Sequence, residues 1–302
     1  MPAAVLKFCF ASLILLINTL LLCLLMVPFA LIKLVLPFKP VRRVIDPMLM
    51  GISALWIDIN SFWLGAVNRI DWRVTGTDGL DPRGWYLVAS NHQSWVDILV
   101  LQKVFNRRIP MLKFFLKKEL IYVPVIGLAW WALDFPFMQR KGGASARQDL
   151  EAARKACEKF RLMPTSVMSF VEGTRFTPAK HAQQKSPYQH LLKPKVGGIG
   201  MALETLGDAF TALLDVTIVY PQTTAGTAPT LVDLMCGRVQ AITVQVHVRQ
   251  IGPEVLPAQG EPAPRAPVQA WINGLWQDKD AEITQVLQRS AGATRPKAQH
   301  TG

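Results

Sequence analysis

Acidic residues and cysteines are scarce in this chain. Its 302 residues include 21 Asp and Glu against 33 Lys and Arg, which gives a formal net charge of +12. Such a balance suits nucleic acid, an anionic membrane surface or an acidic substrate equally well, so charge alone selects no partner. The four cysteines are Cys9, Cys23, Cys157 and Cys236, and their spacing is not typical of a zinc site or a disulfide framework. We therefore expect reduced cysteines, no metal site and a cytoplasmic folded domain.

Charge is also missing from a long stretch near the N-terminus. Residues 8–32 form 25 consecutive positions without a formal charge, which exceeds the roughly 20 residues that a helix needs to cross a bilayer. A cleaved secretory signal is the alternative, but its apolar region covers only about 7–15 residues and ends at a small-residue cleavage site. We predict that this segment lies in lipid. Membrane lipids, and not nucleic acid, are then the partners of the basic chain.

A second apolar stretch, residues 47–67, carries its small and polar residues at alternating spacings of three and four. That spacing places them in one stripe of a helix. The members of the stripe are Gly51, Ala54, Asp58, Ser61, Gly65 and Asn68. We predict a membrane helix whose stripe packs on the first helix or on the folded domain, because small residues permit close approach in lipid. An ordinary buried helix of the folded domain is the alternative.

Basic residues set the expected orientation of this helical pair. Only Lys7 precedes the first apolar run, whereas Lys33, Lys39, Arg42 and Arg43 follow it, so the loop after the run is predicted to be cytoplasmic. Two full crossings would carry the rest of the chain to the opposite side. We therefore favour a hairpin seated in one leaflet of the cytoplasmic (inner) membrane, with the folded domain on the cytoplasmic face.

From Ile70 onward, short apolar or alternating runs are separated by helical stretches. The runs predict strands over residues 72–74, 86–89, 109–114, 166–171, 213–220 and 242–248. Helices are predicted over residues 96–105, 144–161 and 198–206. The alternation predicts an α/β domain, a mixed sheet flanked by helices, over residues 70–255. Residues 1–69 form the membrane anchor, and residues 256–302 a Pro/Gly-rich linker, a helix over 268–287 and a tail that is disordered from Ala291.

His92 is the first candidate for chemistry, because it follows the strand predicted over residues 86–89, where an α/β sheet presents functional loops. Imidazole titrates at about pH 6.5 and can remove a proton near neutrality when a carboxylate orients it. Asp97 is the candidate partner. Five residues of regular helix turn through about 500°, so the pair can meet only if His92 lies before the helix and Asp97 in its first turn.

A structural role competes for Asp97. Ser94 is well placed to be the N-cap of the same helix, and Asp97, three residues later, would then complete a capping box. The spacing of these residues leaves both interpretations open.

A second candidate site follows the strand predicted over residues 166–171. Gly173 lets backbone N–H groups approach an anion, Thr174 adds a hydroxyl, and Arg175 offers a bidentate fork to phosphate oxygens. The alternative is a plain turn with a surface ion pair between Glu172 and Arg175. Together with His92 and Asp97, the turn indicates catalysis on a phosphorylated alcohol.

The two blocks, Asn91-His92 with Asp97 and Phe170-Val171-Glu172-Gly173-Thr174-Arg175, resemble the glycerophospholipid acyltransferases typified by lysophosphatidic acid acyltransferase. The resemblance spans roughly residues 72–221 and includes two further blocks in the same order, residues 137–140 and 216–221. Gln139 departs from the family's acidic or basic residue, and Val171 replaces a frequent proline. The run from Arg175 to Lys195 is similar to the branch that holds the animal microsomal and lysocardiolipin-type enzymes.

The resemblance implies roles for individual residues. It makes His92 and Asp97 catalytic, and it assigns acceptor binding to Lys117, Arg140, Glu172, Gly173, Thr174 and Arg175. For Lys117, a membrane-facing basic patch shared with Lys118 remains an equal alternative.

The implied activity is acyl transfer from a thioester, acyl-CoA or acyl carrier protein, to the free hydroxyl of a lysophospholipid, first of all lysophosphatidic acid. No cofactor and no metal are implied. We weigh this function against three alternatives: another lysophospholipid or glycolipid acceptor, a hydrolase that uses Ser94, and a non-catalytic membrane-anchored binding protein.

Overall fold

Two long helices precede a mixed α/β sheet in the computed structural model of the chain, which describes residues 2–138, 160–161, 163–221, 228–257 and 263–293. Helix α1 is Pro2–Val35 and helix α2 is Lys39–Val67. Both are longer than predicted, and both are long and apolar enough to cross a membrane, with mean hydropathies of 2.6 and 1.2 over their most apolar windows. Most large side chains of α1 are exposed, among them Leu6, Phe10, Leu13, Leu16, Leu20, Leu24, Leu31 and Leu34.

The two helices pack as a hairpin through polar pairs inside an apolar interface. The Asn18 side-chain amide donates to Asn60 Oδ1 and to the Trp56 carbonyl, each at 3.0 Å, and Trp56 Nε1 donates to Thr19 Oγ1 at 3.1 Å. Where lipid offers no hydrophobic drive between helices, such hydrogen bonds fix the pairing and register.

A buried ion network joins the hairpin to the α/β domain. Lys33 Nζ lies 2.8 Å from Asp46 and 2.5 Å from Asp134, while Arg42 lies 2.6 Å from Asp134. Burial alone would raise the pKa of Asp134, but Lys33 and Arg42 hold that pKa below its ordinary value. Breaking one member of a buried network is costly because it leaves an uncompensated charge. The network therefore fixes the end of α1 on the domain.

The described residues of the domain form eight strands. They are β1 (Asp71–Thr75), β2 (Tyr86–Ser90), β3 (Leu112–Phe114), β4 (Leu116–Lys117), β5 (Phe137–Met138), β6 (Ser166–Phe170), β7 (Ala212–Val219) and β8 (Ala241–Arg249). Six of them form one sheet in the order β1-β8-β7-β2-β6-β3, in which only the β7–β8 pair is antiparallel. Strands β4 and β5 form a separate parallel pair. The mixed sheet agrees with the predicted α/β class.

Six further helices complete the described fold. They are α3 (Val96–Phe105), α4 (Ile126–Ala132), α5 (Pro178–Gln184), α6 (Gly197–Leu206), α7 (Leu231–Met235) and α8 (Arg265–Ala293). Apolar clusters lie on both faces of the sheet: α3 packs in the first, and α6 and α8 pack in the second. The predicted helix over residues 144–161 falls almost entirely outside the described residues.

The structure differs from the sequence predictions at three places. Strand β3 begins at Leu112 and not at residue 109, because the Ile109 N–H bonds the Phe105 carbonyl and Pro110 has no N–H for a ladder. Strands β4 and β5 were not predicted, since two-residue strands leave no periodic pattern. The prediction of disorder from Ala291 is wrong for the start of that tail, because α8 continues to Ala293.

Within the small-residue stripe of α2, Ala54 and Asp58 contact the domain, which is one of the two predicted alternatives, whereas Gly51 and Gly65 are exposed. Asp58 Oδ2 lies 2.6 Å from Arg107 Nη2, and Asn106 Nδ2 donates to Asp58 Oδ1 and to the Ala54 carbonyl. These contacts seat α2 against the C-terminal end of α3.

Candidate active site

The parallel strands β6, β2 and β7 bring the candidate residues to one edge of the sheet. Ser90, the last residue of β2, is level with Phe170 on one side and with Val216 on the other. Loops that follow these strands therefore meet, as carboxyl ends of parallel strands do in open α/β sheets. The β2 loop carries His92, the β6 turn carries Glu172, and Tyr220 follows β7.

His92 and Asp97 meet as the helix geometry requires. His92 lies in the loop, Asp97 lies in the first turn of α3, and His92 Nδ1 is 2.9 Å from Asp97 Oδ2. The Asp97 side chain is 1% exposed and the His92 side chain 12% exposed. Because Nδ1 faces the carboxylate, the tautomer that carries its proton on Nδ1 is favoured, which leaves Nε2 as the basic atom. In the described part of the chain, Nε2 has no hydrogen-bond partner.

Asp97 also caps the helix. Its Oδ2 accepts hydrogen bonds from the backbone N–H of Gln93 at 2.6 Å and of Ser94 at 2.9 Å. The N-cap position is Trp95 and not Ser94, one residue later than predicted, although Ser94 Oγ still accepts from the Val96 N–H. The two interpretations of Asp97 are therefore not exclusive, since one carboxylate orients the imidazole and closes the helix start.

Tyr220 is a second partner of Asp97 that sequence reasoning placed only in a core strand. Its hydroxyl donates to Asp97 Oδ1 at 2.5 Å. Burial, followed by the charge of Asp97, raises the pKa of Tyr220 well above its ordinary value, so the phenol stays protonated and remains a donor. The second oxygen of Asp97 thus has a hydrogen-bond partner within the core, and that partner, Tyr220, lies 123 residues later in the sequence.

Asn91 fixes the loop to the neighbouring strand. Its side-chain amide donates to the Ile218 carbonyl, and its Oδ1 accepts from the Ile218 N–H, both at 2.9 Å. Gln93 Nε2 donates to the same carbonyl at 2.9 Å. The residues on either side of His92 are therefore held by β7.

Glu172 holds the backbone of the two loops and makes no surface ion pair with Arg175. Its Oε1 accepts from the His92 N–H at 2.8 Å, and its Oε2 accepts from the Leu192 N–H at 3.0 Å. Burial raises the pKa of Glu172 to about 8, against the lowering effect of these two amides. The carboxylate is 0% exposed, so the plain-turn alternative with a Glu172–Arg175 pair does not describe this turn.

The imidazole also rests on an aromatic surface. The rings of His92 and Phe170 are stacked at a centroid distance of 3.8 Å and an interplanar angle of 12°. The Phe114 ring in turn lies 6.0 Å from the Phe170 ring, centroid to centroid. Stacking fixes the plane of the imidazole, while Asp97 fixes its rotation.

The Gly173 turn gathers cationic groups. Gly173 has a φ of +69°, and a Cβ there would lie 3.2 Å from Lys195 Cδ. Lys180 Nζ donates to Thr174 Oγ1 at 2.7 Å, and the Arg175 guanidinium lies over the Trp95 ring at 5.2 Å.

Two backbone donors of this turn are available to a ligand. The backbone N–H groups of Thr174 and Arg175 make no hydrogen bond to any residue that the structure describes. Arg175 and Lys195 are exposed. Successive backbone donors beside mobile cations form an anion-binding concavity. Sequence reasoning noted Lys180 and Lys195 only in a family run, and their place beside Gly173 comes from the path of the chain through α5.

The predicted acceptor-binding residues also include Lys117 and Arg140. Lys117 is exposed on β4, where it is level with Met138 of β5. Arg140 lies two residues beyond Met138 and outside the described residues. The predicted acceptor-binding roles of Lys117 and Arg140 stay predictions.

The model of the Acyltransferase family matches residues 71–221, half of the chain. The chain is 30% identical over 207 residues to the mouse 1-acyl-sn-glycerol-3-phosphate acyltransferase delta, covering 65% of this chain and 51% of the relative. The human delta protein is 28% identical over 221 residues, covering 67% and 54%. The chain therefore spans about half the length of the curated relatives it matches.

A solved structure is also similar. The crystal structure of the 1-acyl-sn-glycerophosphate (LPA) acyltransferase from Thermotoga maritima aligns with a TM-score of 0.46 at 18% identity, covering 88% of this chain and 97% of that one. The family match itself begins with β1 and ends just after Tyr220, so it encloses His92, Asp97 and the Gly173 turn. The chain belongs to the Acyltransferase family.

Proposed function

We propose that this protein is a membrane-bound O-acyltransferase that moves a fatty acyl group from an acyl thioester to the free hydroxyl of a lysophospholipid, with lysophosphatidic acid as the acceptor. The observation that carries the proposal is the His92–Asp97 pair, whose open Nε2 lies on the same sheet edge as the cationic Gly173 turn. The names of the relatives, which are 1-acyl-sn-glycerol-3-phosphate acyltransferases, support the acceptor.

His92 acts as the general base. Its Nε2 takes the hydroxyl proton of the acceptor as the hydroxyl oxygen attacks the thioester carbonyl, and Asp97 stabilises the imidazolium. Backbone N–H groups near the loop stabilise the oxyanion of the tetrahedral intermediate. When the C–S bond breaks, the thiolate leaves and takes the proton from His92, so the ester and the free thiol are the products. No covalent acyl-enzyme is needed.

The Gly173 turn binds the acceptor's phosphate. The free N–H groups of Thr174 and Arg175, the Arg175 fork and the Lys195 ammonium offer donors to its oxygens. Binding the phosphate there would hold the acceptor's hydroxyl near His92 and lower the entropic cost of reaction. Lys117, which lies on β4, and Arg140 are proposed to assist in binding the acceptor, and Glu172 to support the turn from within.

The helical hairpin is proposed to lie in the cytoplasmic leaflet of the cytoplasmic membrane. Two distant points of α1 contact the domain: Ser12 Oγ lies 4.0 Å from Met235 Sδ, and Lys33 Nζ lies 2.5 Å from Asp134. These contacts are about 30 Å apart along the helix. They support a helix that stays on the domain, with its exposed apolar face entering the leaflet sideways.

Labelling tests this topology. A single cysteine introduced as Lys39→Cys, at the first residue of α2, in an otherwise cysteine-free chain should react with an impermeant maleimide from the cytoplasmic side only. Labelling from the opposite side would mean that α1 crosses the membrane.

Acyl-transfer assays test the activity. The purified protein is incubated with labelled acyl-CoA or acyl carrier protein and with a panel of lysolipids, beside His92→Ala as the blank. We expect transfer to lysophosphatidic acid that the variant lacks. Transfer only to acceptors other than lysophosphatidic acid would move the acceptor to another lysophospholipid or a glycolipid, and no transfer with any pair would leave the non-catalytic alternative.

A further inference from the structure

The C-terminal helix α8 lies outside the family match, yet it carries a buried cation next to the site. Lys279 is 1% exposed, and it occupies the helix face that also buries Trp276 and Ile283. Burying an unpaired ammonium is costly, so a lysine in this position requires partners. In the sequence, Lys279 falls at helical spacing between those two apolar residues, a signal that sequence reasoning overlooked.

Lys279 binds the end of β7. Its Nζ donates to the Val216 carbonyl at 2.6 Å and to Thr217 Oγ1 at 3.1 Å, and it lies 2.6 Å from Asp215 Oδ1. Two hydrogen bonds and one ion pair therefore hold the buried ammonium. The next residue of β7, Ile218, is the one that Asn91 clamps through both of its backbone groups. Helix α8 and the His92 loop therefore hold the same short piece of strand.

A second set of contacts links α8 to Glu172. Asp280 accepts from the backbone N–H groups of Gln189 and His190, and Trp276 Nε1 donates to the Leu192 carbonyl. The Leu192 N–H in turn donates to Glu172 Oε2 at 3.0 Å. The loop of residues 189–192, whose Leu192 N–H binds Glu172, is thus hydrogen-bonded to α8 on both sides of residue 191.

Charge completes the connection. Besides burial, the His92 and Leu192 amides, the Asp97 carboxylate of α3 and the Lys279 ammonium of α8 act on the pKa of Glu172. The Asp97 charge raises this pKa, and the Lys279 charge, the smallest of these effects, lowers it. Each oxygen of the ionised carboxylate accepts one backbone N–H, and protonation would weaken one of those bonds to the loops.

We propose that α8 is part of the active-site scaffold and that Lys279 is a positioning residue, which fixes the end of β7 and offsets the negative charge of Glu172 so that the His92 loop is held. The inference rests on the proposed acyl transfer. Lys279 touches neither substrate nor His92, and it acts through β7 and Glu172.

The sign of the pH effect follows from the charges. Glu172 has its pKa raised to about 8 by burial, with Lys279 opposing the rise. Removing Lys279 raises this pKa further, so the ionised form is reached only at higher pH. In Lys279→Met, kcat at pH 7 should fall about tenfold or more while the KM for the lysolipid stays within about twofold. The rise of activity with pH should move to higher pH than in the wild type.

Three controls separate this role from simple destabilisation. Val286→Ala removes buried apolar volume from the same helix and should lower the unfolding temperature without moving the pH profile. Lys279→Met should move the rise of activity with pH to higher pH, whereas Glu172→Gln should abolish this rise. If Lys279→Met fails to fold, the double variant Asp215→Asn with Lys279→Met removes the buried pair together, which proteins often tolerate. Its displacement should have the same direction but be smaller, because the negative charge of Asp215 is lost as well.

Infrared difference spectra provide a readout that does not require activity. The infrared band of the protonated Glu172 carboxyl is identified by its loss in Glu172→Gln. This band should persist to higher pH in Lys279→Met than in the wild type. An unmoved band together with an unmoved pH profile, in a variant destabilised as much as Val286→Ala, would overturn the proposal. An inactive wild type with a displaced band would instead mean that the proposed acyl transfer fails while the role of Lys279 stands.

Discussion

The two loops that meet at the sheet edge differ in how their polar groups are used. In the β2 loop, Asp97 has both oxygens occupied, and Asn91 is bonded to β7 through both ends of its amide. In the Gly173 turn, two successive backbone N–H groups have no partner among the described residues, and the cationic side chains are exposed. The first loop is closed within the protein, whereas the second is open to a ligand.

This difference matches the two tasks of the proposed reaction. Proton transfer requires a base held in one orientation before the substrate arrives, which fully used hydrogen bonds provide. Binding a phosphate requires donors that the folded chain has not already used. A buried carboxylate, Glu172, joins the loops through the His92 and Leu192 amides, so the rigid loop and the open turn keep a fixed separation.

Among substitutions that test this contrast between the closed loop and the open turn, we expect the largest effect on activity at Asp97. Asp97→Asn replaces a carboxylate oxygen, which accepts several hydrogen bonds, by an amide NH₂ group. Because the imidazolium then loses its counter-charge, kcat should fall about 10²-fold or more. The same change leaves buried donors unsatisfied, each at about 1–3 kcal/mol. Stability should therefore fall too, as measured by the unfolding temperature. Full stability with low activity would mean that Asp97 does not close the helix start.

A smaller effect is expected at the open turn. Arg175→Ala should raise the KM for lysophosphatidic acid about tenfold and change kcat much less, because it removes binding shared by ground state and transition state. The unfolding temperature should change little, since the guanidinium is exposed over Trp95. Lys195→Ala is the matched change on the other side of Gly173, with a similar or weaker effect. A KM effect on the thioester alone would argue against a phosphate site here.

Local patterns in the sequence predicted the elements that carry both loops. The bounds of α3 are those predicted, and the requirement that His92 precede the helix while Asp97 sits in its first turn is confirmed by the 2.9 Å contact. The hairpin of apolar helices and the α/β alternation also follow from periodicity, which reports which face of an element is buried.

Contacts that depend on strand order could not be predicted in this way. Tyr220 reaches Asp97 and Asn91 reaches Ile218 because β7 lies beside β2, an adjacency that no local pattern encodes. Glu172 illustrates the same point: its place in the turn left an acceptor-binding role and a surface pair with Arg175 open, and its two bonds to backbone amides were not predicted.

The most direct test of the account is a comparison of kcat and KM for lysophosphatidic acid in His92→Ala and Arg175→Ala, measured under one set of conditions. We predict that His92→Ala lowers kcat by about 10³-fold or more, with the KM and membrane association near wild type, whereas Arg175→Ala chiefly raises the KM. A His92→Ala protein that transfers acyl groups at the wild-type rate would contradict the central claim that this histidine is the base.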